Sequence, residues 1–164
     1  MTFVCDPIHT YVQSVWFMIR LSHPPKRGAP VSDYTIQELA DRYGDAWHSH
    51  DPDAIVALHT DDTKFQLHVG DEPVRGKEAV RATFAQILEQ WPDLHFHPVA
   101  LRYGTDFWVA EWRMTATGAD GSKMEADAVD VITVEGGLVK TKDTYVDSIT
   151  IQQQIAAAAE EVAA

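Results

Sequence analysis

The sequence predicts an α+β domain in which helices come first and a run of antiparallel strands follows. Three observations carry that reading. Before residue 92, apolar residues recur at helical spacing in three separate stretches. After it, four strand-length runs are broken by the hairpin signals "GTD", "GADGSK" and "EGG". A last helical stretch begins at Asp147. Helices segregated from an antiparallel sheet make an α+β fold. A chain of 164 residues is long enough for one such domain with a full core.

The elements follow in order. Thr35 and Glu38 form the T-x-x-E capping box of a first helix. Its stripe is Ile36, Leu39, Ala40, Tyr43, Ala46 and Trp47. In "HDPDAIVALH" Asp51 suits an N-cap and Pro52 a first turn, so a second, short helix is expected. "TDDT" breaks the pattern, "KFQLHV" reads as a strand and "GDEPVRG" as a loop. A third helix spans 77 to 91, with Val80, Thr83, Phe84, Ile87, Leu88 and Trp91 on its buried side, and Pro92 stops it. Strands are expected near 94–103, 107–117, 124–134 and 138–146. The order is α-α-β-α-β-β-β-β with a C-terminal helix. A curved sheet wrapped on the helices would leave a cavity between them. The tail at 156–164, "AAAAEEVAA", is expected to fray.

Composition narrows the function. A net charge of −12 would repel a phosphate backbone, so nucleic acid is a poor partner. Cys5 is the single cysteine, which rules out a disulfide or a cysteine-based zinc site within one chain and fits a reducing cytoplasm. Residues 1–33 have a different character. "YVQSVWFMIRL" is too short to span a bilayer and makes a weak signal peptide, and "HPPKRGAP" has linker chemistry. The readings are a mobile appendage, an extra packed helix, or an extension upstream of the true start. The first is preferred, with the domain proper at 34–155.

One residue breaks the pattern of the strands. In "EADAVDVITVEGG", Ala126, Ala128, Asp130, Ile132 and Val134 share a face by strand parity. That face is apolar except for Asp130. A carboxylate turned into a core is costly unless paired, and such groups cluster at functional sites. The alternatives are a carboxylate held by a buried arginine or backbone donors, or a bulge that turns it to water. Asp127 lies on the opposite face.

The stretches "YGDAWHSHDPDAIVALHTDDTKFQLHVGDEPVRGKEAV" and "DVITVEGGLVKTKDTYVD" resemble the nuclear transport factor 2-like superfamily. The nearest relatives in it are ketosteroid isomerases and SnoaL-like polyketide cyclases. The resemblance covers about residues 34 to 155 and implies a cone: a curved sheet around a pocket closed by helices. Matched to ketosteroid isomerase, the catalytic tyrosine falls on Tyr43 and the oxyanion-hole aspartic acid on Asp130. The general base falls on Leu67, which cannot take a proton. SnoaL-like cyclases carry an aspartate base in the strand before a glycine turn, and Asp130 stands at that spacing before "EGGLV". The resemblance therefore offers two roles for Asp130: a neutral hydrogen-bond donor to an enolate, or an ionised base. The missing base at Leu67 favours the second, with Tyr43 as an acid or orienting donor.

Other candidates are weaker. His68 follows Leu67 and faces outward by parity; a bulge would make it a replacement base. His95 and His97 form H-x-H, but no carboxylate pattern completes a metal site, so no metal is expected. His97 shares its parity with Val99 and Leu101 and would border the pocket. Trp47 forms a wall of the core or pocket. Trp108, Ala110, Trp112 and Met114 alternate on one strand face and, by the resemblance, line the pocket. Glu111 and Arg113 would lie on the outer face, where the superfamily often dimerises.

These readings imply acid–base chemistry, by isomerisation, cyclisation or dehydration through an enolate, on a small hydrophobic carbonyl compound. Neither a cofactor nor a metal is expected, nor a membrane association, and a homodimer is. The rival reading is a non-catalytic ligand-binding or dimerisation module of the same fold. It gains ground if Asp130 is salt-bridged and Tyr43 points away from it. An epoxide hydrolase of this fold would need an Asp–Arg–Asp group around a water, and the inward positions do not obviously supply the arginine.

Overall fold

Local sequence signals set the helix starts. In the computed structural model, which describes residues 34–70, 72–118 and 121–163, helix α1 spans Ile36–His48. Thr35 caps it: its side chain accepts from the Glu38 N–H at 3.2 Å while Glu38 reaches back to the Thr35 N–H at 3.0 Å. Helix α2, Pro52–Val56, opens on Asp51, which accepts from the Asp53 N–H at 2.9 Å. Helix α3 spans Lys77–Gln90, and the chain leaves it at Trp91, just before Pro92. Residues 1–33 lie outside the described residues, and the expectations for them with it.

The strands are β1 (His59–Leu67), β2 (Val74–Arg75), β3 (His95–Tyr103), β4 (Phe107–Thr117), β5 (Lys123–Glu135) and β6 (Leu138–Val146). They form one open six-stranded sheet in the order β2-β1-β6-β5-β4-β3. Strands β3 to β6 make the expected meander. The turn between β5 and β6 needs Gly136 and Gly137 because both have positive φ, 60° and 78°, as a two-residue hairpin loop demands. The sheet is mixed rather than antiparallel, since β1 runs parallel to β6. The chain reaches that pairing through α3 and the meander, so adjacency in sequence does not predict it.

Strand β1 is longer than its hydrophobic pattern suggests. The "TDDT" segment lies inside it, with Asp61 and Asp62 exposed and Thr63 buried. A register shift between His59 and Lys64 lets this polar stretch stay in the sheet while His59 turns inward.

Helices cover one face of the sheet. Leu39, Tyr43 and Trp47 from α1, Ile55 and Val56 from α2, and Val80, Phe84 and Leu88 from α3 meet Phe65, Trp108, Ala110, Ile132 and Val139 from the strands. Phe84 is the hub of the aromatic packing, with Trp47, Phe65 and His59 all set edge-on against it at 4.9 to 5.7 Å between centroids. The opposite face carries exposed ion pairs: Arg113 with Asp127 and Glu125, and Arg102 with Glu111. Helix α4, Ser148–Ala163, is capped by Asp147, which accepts from the Thr150 N–H at 3.1 Å. It continues through the tail for which the sequence predicts fraying, because alanine is the best helix former.

No helix among the described residues is long and apolar enough to cross a membrane.

Candidate functional site

The inward face of β5 carries Asp130, as its parity requires, and the carboxylate is buried at 4% exposure. Opposite it stand Ala110 on β4 and Thr144 on β6. Ala110 is small, so longer side chains on the diagonal positions reach the carboxylate. Trp112, paired with Ala128, donates its indole N–H to Oδ2 at 2.9 Å. Lys142, paired with Ile132, sets its ammonium against the same oxygen as an ion pair. Thr144 donates to Oδ1 at 2.6 Å. Three donor groups around one carboxylate are the surroundings of an ionised acid, not of a neutral one that must donate.

Lys142 is as buried as its partner, at 3% exposure. Burial pulls its ammonium below the ordinary lysine value, and the charge of Asp130 works against that shift. The ammonium also sits over the Trp47 ring, 5.5 Å from its centroid.

A second polar chain adjoins the first. The Tyr43 hydroxyl and His59 Nε2 are 2.9 Å apart, His59 Nδ1 and Thr63 Oγ1 are 2.8 Å apart, and Thr63 donates to the Lys140 carbonyl at 3.1 Å. These bonds fix one another. The carbonyl can only accept, so it takes the hydroxyl proton of Thr63. Thr63 must then accept from His59 Nδ1–H. The His59 pKa is pushed down to about 3, first by burial and then by the positive charges of Lys142 and Lys77, so the ring is neutral and Nε2 is bare. Nε2 therefore accepts the Tyr43 proton. Burial raises the Tyr43 hydroxyl well above its ordinary value. The nearby Trp47 N–H offsets part of the rise, and the charge of Asp130 adds to it. Among the described residues the Trp47 nitrogen is nevertheless buried without a partner at hydrogen-bond geometry.

The predicted residues separate into two groups. Asp130, Tyr43, Trp47, Leu67, Trp108, Ala110, Trp112 and Met114 lie on the helix-covered side of the sheet. There Tyr43 meets Trp108 edge-on at 5.9 Å, and Leu67 packs against the core. Tyr43 is bonded to His59 rather than to Asp130. The two histidines lie elsewhere. His68 bonds Asp143 at 3.0 Å and stacks on Tyr145, which is 47% exposed. The placement of His97 corrects the parity reading. A register shift between Pro98 and Ala100 breaks the alternation, so His97 pairs with Arg113 and bonds Thr115 at 3.2 Å on the outer face, while Leu101 points inward. His95 and His97 are neighbours with rings 4.5 Å apart. Among the described residues no group of three or more His, Cys, Asp or Glu is placed to hold a metal ion.

Lys142 and His59 were not candidates from the sequence. "LVKTKDTYV" is polar on both faces, so no alternation marks Lys142 as inward. His59 reads as the end of a helix. The available signal was Asp130 itself, since a carboxylate on an apolar strand face calls for a cation on a neighbouring strand.

The sequence model of the SnoaL-like domain family matches residues 40–141. The chain belongs to that family. No curated protein matches it. Solved structures share the fold of this SnoaL-like domain at low identity. A protein from Shewanella putrefaciens described as a SnoaL-like polyketide cyclase is 16% identical, with a TM-score of 0.66, covering 79% of this chain and 98% of its own. A nuclear transport factor 2-like protein from Burkholderia thailandensis is 22% identical, with a TM-score of 0.66 and coverage of 74% and 98%. A ketosteroid isomerase-like protein from Catenulispora acidiphila, solved in complex with trimethylamine, is 15% identical, with a TM-score of 0.62 and coverage of 68% and 86%. The SnoaL-like match takes in Tyr43, His59 and Asp130 and ends one residue before Lys142.

The geometry makes two predictions. Asp130→Asn leaves the Lys142 charge without its partner and should cost about 3–5 kcal/mol. Asp130→Asn/Lys142→Met removes both charges and should recover most of that loss. Urea unfolding of the three proteins checks this; a mild single variant would mean that the pair contributes little.

The second concerns acid. The folded pKa of His59 lies below its unfolded value of 6.5, so the unfolded chain binds the extra proton. The contribution of His59 is fully present above about pH 6.5 and is lost as pH falls toward 3. His59→Gln should flatten the fall of the urea midpoint between pH 6.5 and 4.5. An unchanged slope would show that His59 titrates normally.

Proposed function

We propose that this chain binds a small hydrophobic molecule on the helix-covered side of its sheet, against the Asp130–Lys142 pair. The observation that carries the reading is the pair itself. A desolvated ion pair is often no more stabilising than well-packed hydrocarbon, so its retention beside Trp47, Trp108 and Trp112 favours use over stability. The trimethylamine complex of the Catenulispora acidiphila relative agrees with a small-molecule role.

A catalytic reading is second: isomerisation, cyclisation or dehydration of a carbonyl compound through an enolate. Asp130 Oδ1 supports it, because among the described residues that oxygen accepts only from Thr144 and keeps a lone pair for a substrate proton. The ion pair and the commitment of the Tyr43 proton to His59 weigh against it. Tyr43 as an acid does not fit the bond it makes to His59, and His68 as a base stands apart from Asp130, stacked on the exposed Tyr145.

One probe separates the two readings. 2-Tetralone should raise the melting temperature in proportion to its binding; no rise at millimolar ketone removes the binding reading. If the site is catalytic, the protein should also speed deuterium exchange at the ketone's α-carbon in heavy water. That acceleration should fall by about two to four orders of magnitude in Asp130→Asn/Lys142→Met. Exchange at the buffer rate leaves binding alone.

The outer sheet face, with Glu111 and Arg113, is also proposed as a homodimer contact. Sedimentation at micromolar concentration should give twice the chain mass, and a monomer throughout would end the idea.

A further inference from the structure

Resting on the small-molecule reading, we infer that Lys142 and Trp47 together receive an uncharged carbonyl oxygen of the ligand. Thr63 gives its proton to Lys140 O, His59 gives Nδ1–H to Thr63, and Tyr43 gives its proton to His59. Thr144 and Trp112 give theirs to Asp130. Each hydroxyl, imidazole and indole of these two hydrogen-bond chains is therefore spent as a donor.

Beside the Thr60 hydroxyl, next to His59 in the chain, two donor groups close to the Asp130 carboxylate are left over. Trp47 Nε1–H is buried, on a residue 8% exposed; it lies near the Tyr43 hydroxyl but meets no acceptor at hydrogen-bond geometry among the described residues. Lys142 has three N–H bonds, and its single polar contact among the described residues is the charge contact with Asp130 Oδ2. The two are neighbours, since the ammonium sits 5.5 Å from the centre of the Trp47 ring. Buried donors without acceptors are rare in folded proteins. An interior with surplus donors is complementary to a ligand that brings an acceptor.

Charge decides which acceptor. Lys142 and Asp130 already neutralise each other, and the whole chain carries −12. A carboxylate would bring an uncompensated negative charge next to Asp130, in a place where charges are poorly solvated. A ketone oxygen accepts the same two hydrogen bonds and adds no charge. This assignment differs from the sequence expectation: the oxygen is read by Lys142 and Trp47, not by Tyr43 and Asp130.

The test uses three probes of similar shape: 2-tetralone, tetralin, which lacks the oxygen, and 2-naphthoate, which is anionic. In ¹⁵N-labelled protein the Trp47 indole signal is assigned by its loss in Trp47→Phe. With 2-tetralone it should move downfield, as a new hydrogen bond requires. Tetralin and 2-naphthoate should each bind at least about tenfold more weakly, the scale expected when a buried polar group goes unpaired. Trp47→Phe keeps a flat ring and should lose much of the preference for 2-tetralone over tetralin; Lys142→Met should lose it too if it folds. Equal binding of tetralin with an unmoved Trp47 signal would overturn the inference and leave the small-molecule reading standing. Tighter binding of 2-naphthoate would overturn the choice of an uncharged oxygen. No binding of any probe would remove both readings together.

Discussion

The contact between Asp130 and Lys142 organises the polar half of the interior. Each charge would be untenable alone at 3–4% exposure, so each strand depends on its neighbour for the other's side chain. The effect spreads outward. The ammonium helps keep His59 neutral, a neutral His59 accepts the Tyr43 proton, and the charge of Asp130 reinforces the neutral form of Tyr43. Burial keeps both residues neutral, and the ion pair reinforces it on β1 and α1. Thr144 and Trp112 complete the carboxylate's hydrogen bonds, so the cluster is bound on its strand side and unsatisfied on the side of Trp47.

This arrangement distinguishes the chain from the isomerase pattern that it resembles. By that resemblance Leu67 falls where an isomerase carries its base, and Asp130, where it carries a neutral donor, is here held by a cation. Membership of the SnoaL-like family explains the scaffold but not the chemistry, because one fold hosts many functions. What can differ within a shared cone is which inward positions are polar and how their protons are shared. Here the inward polar positions include Lys142.

The sequence made the helices and the meander legible for local reasons. The Thr35–Glu38 box, the Asp51–Pro52 start and the paired glycines after Glu135 act over a few residues and owe little to tertiary context. Asp130 was also legible, because its strand alternates cleanly. Alternation failed as a guide where the strands are irregular. A shift at Val99 turned His97 outward, and a shift after His59 hid an inward histidine inside a polar stretch. Lys142 was hidden differently. Its strand is polar on both faces, so nothing local says which side is buried. The parallel pairing of β1 with β6 was invisible for a third reason: it is a contact between segments 77 to 80 residues apart, and no short pattern encodes it.

That pairing bears on how the chain folds. Strands β3 to β6 can associate as successive hairpins, each closing a short loop. β1 can join only by closing a loop that includes α3 and the whole meander, with an entropy cost that rises with loop length. Contacts of such long sequence separation slow folding. Until β1 docks, the edge of β6 stays open and Lys142 lacks the cover of the β1 side. The meander by itself would therefore expose both a pairing edge and a half-desolvated charge. Completion of the sheet centre by its most distant strands links formation of the interior to folding of the whole domain, and leaves the nascent chain prone to aggregation until β1 is in place.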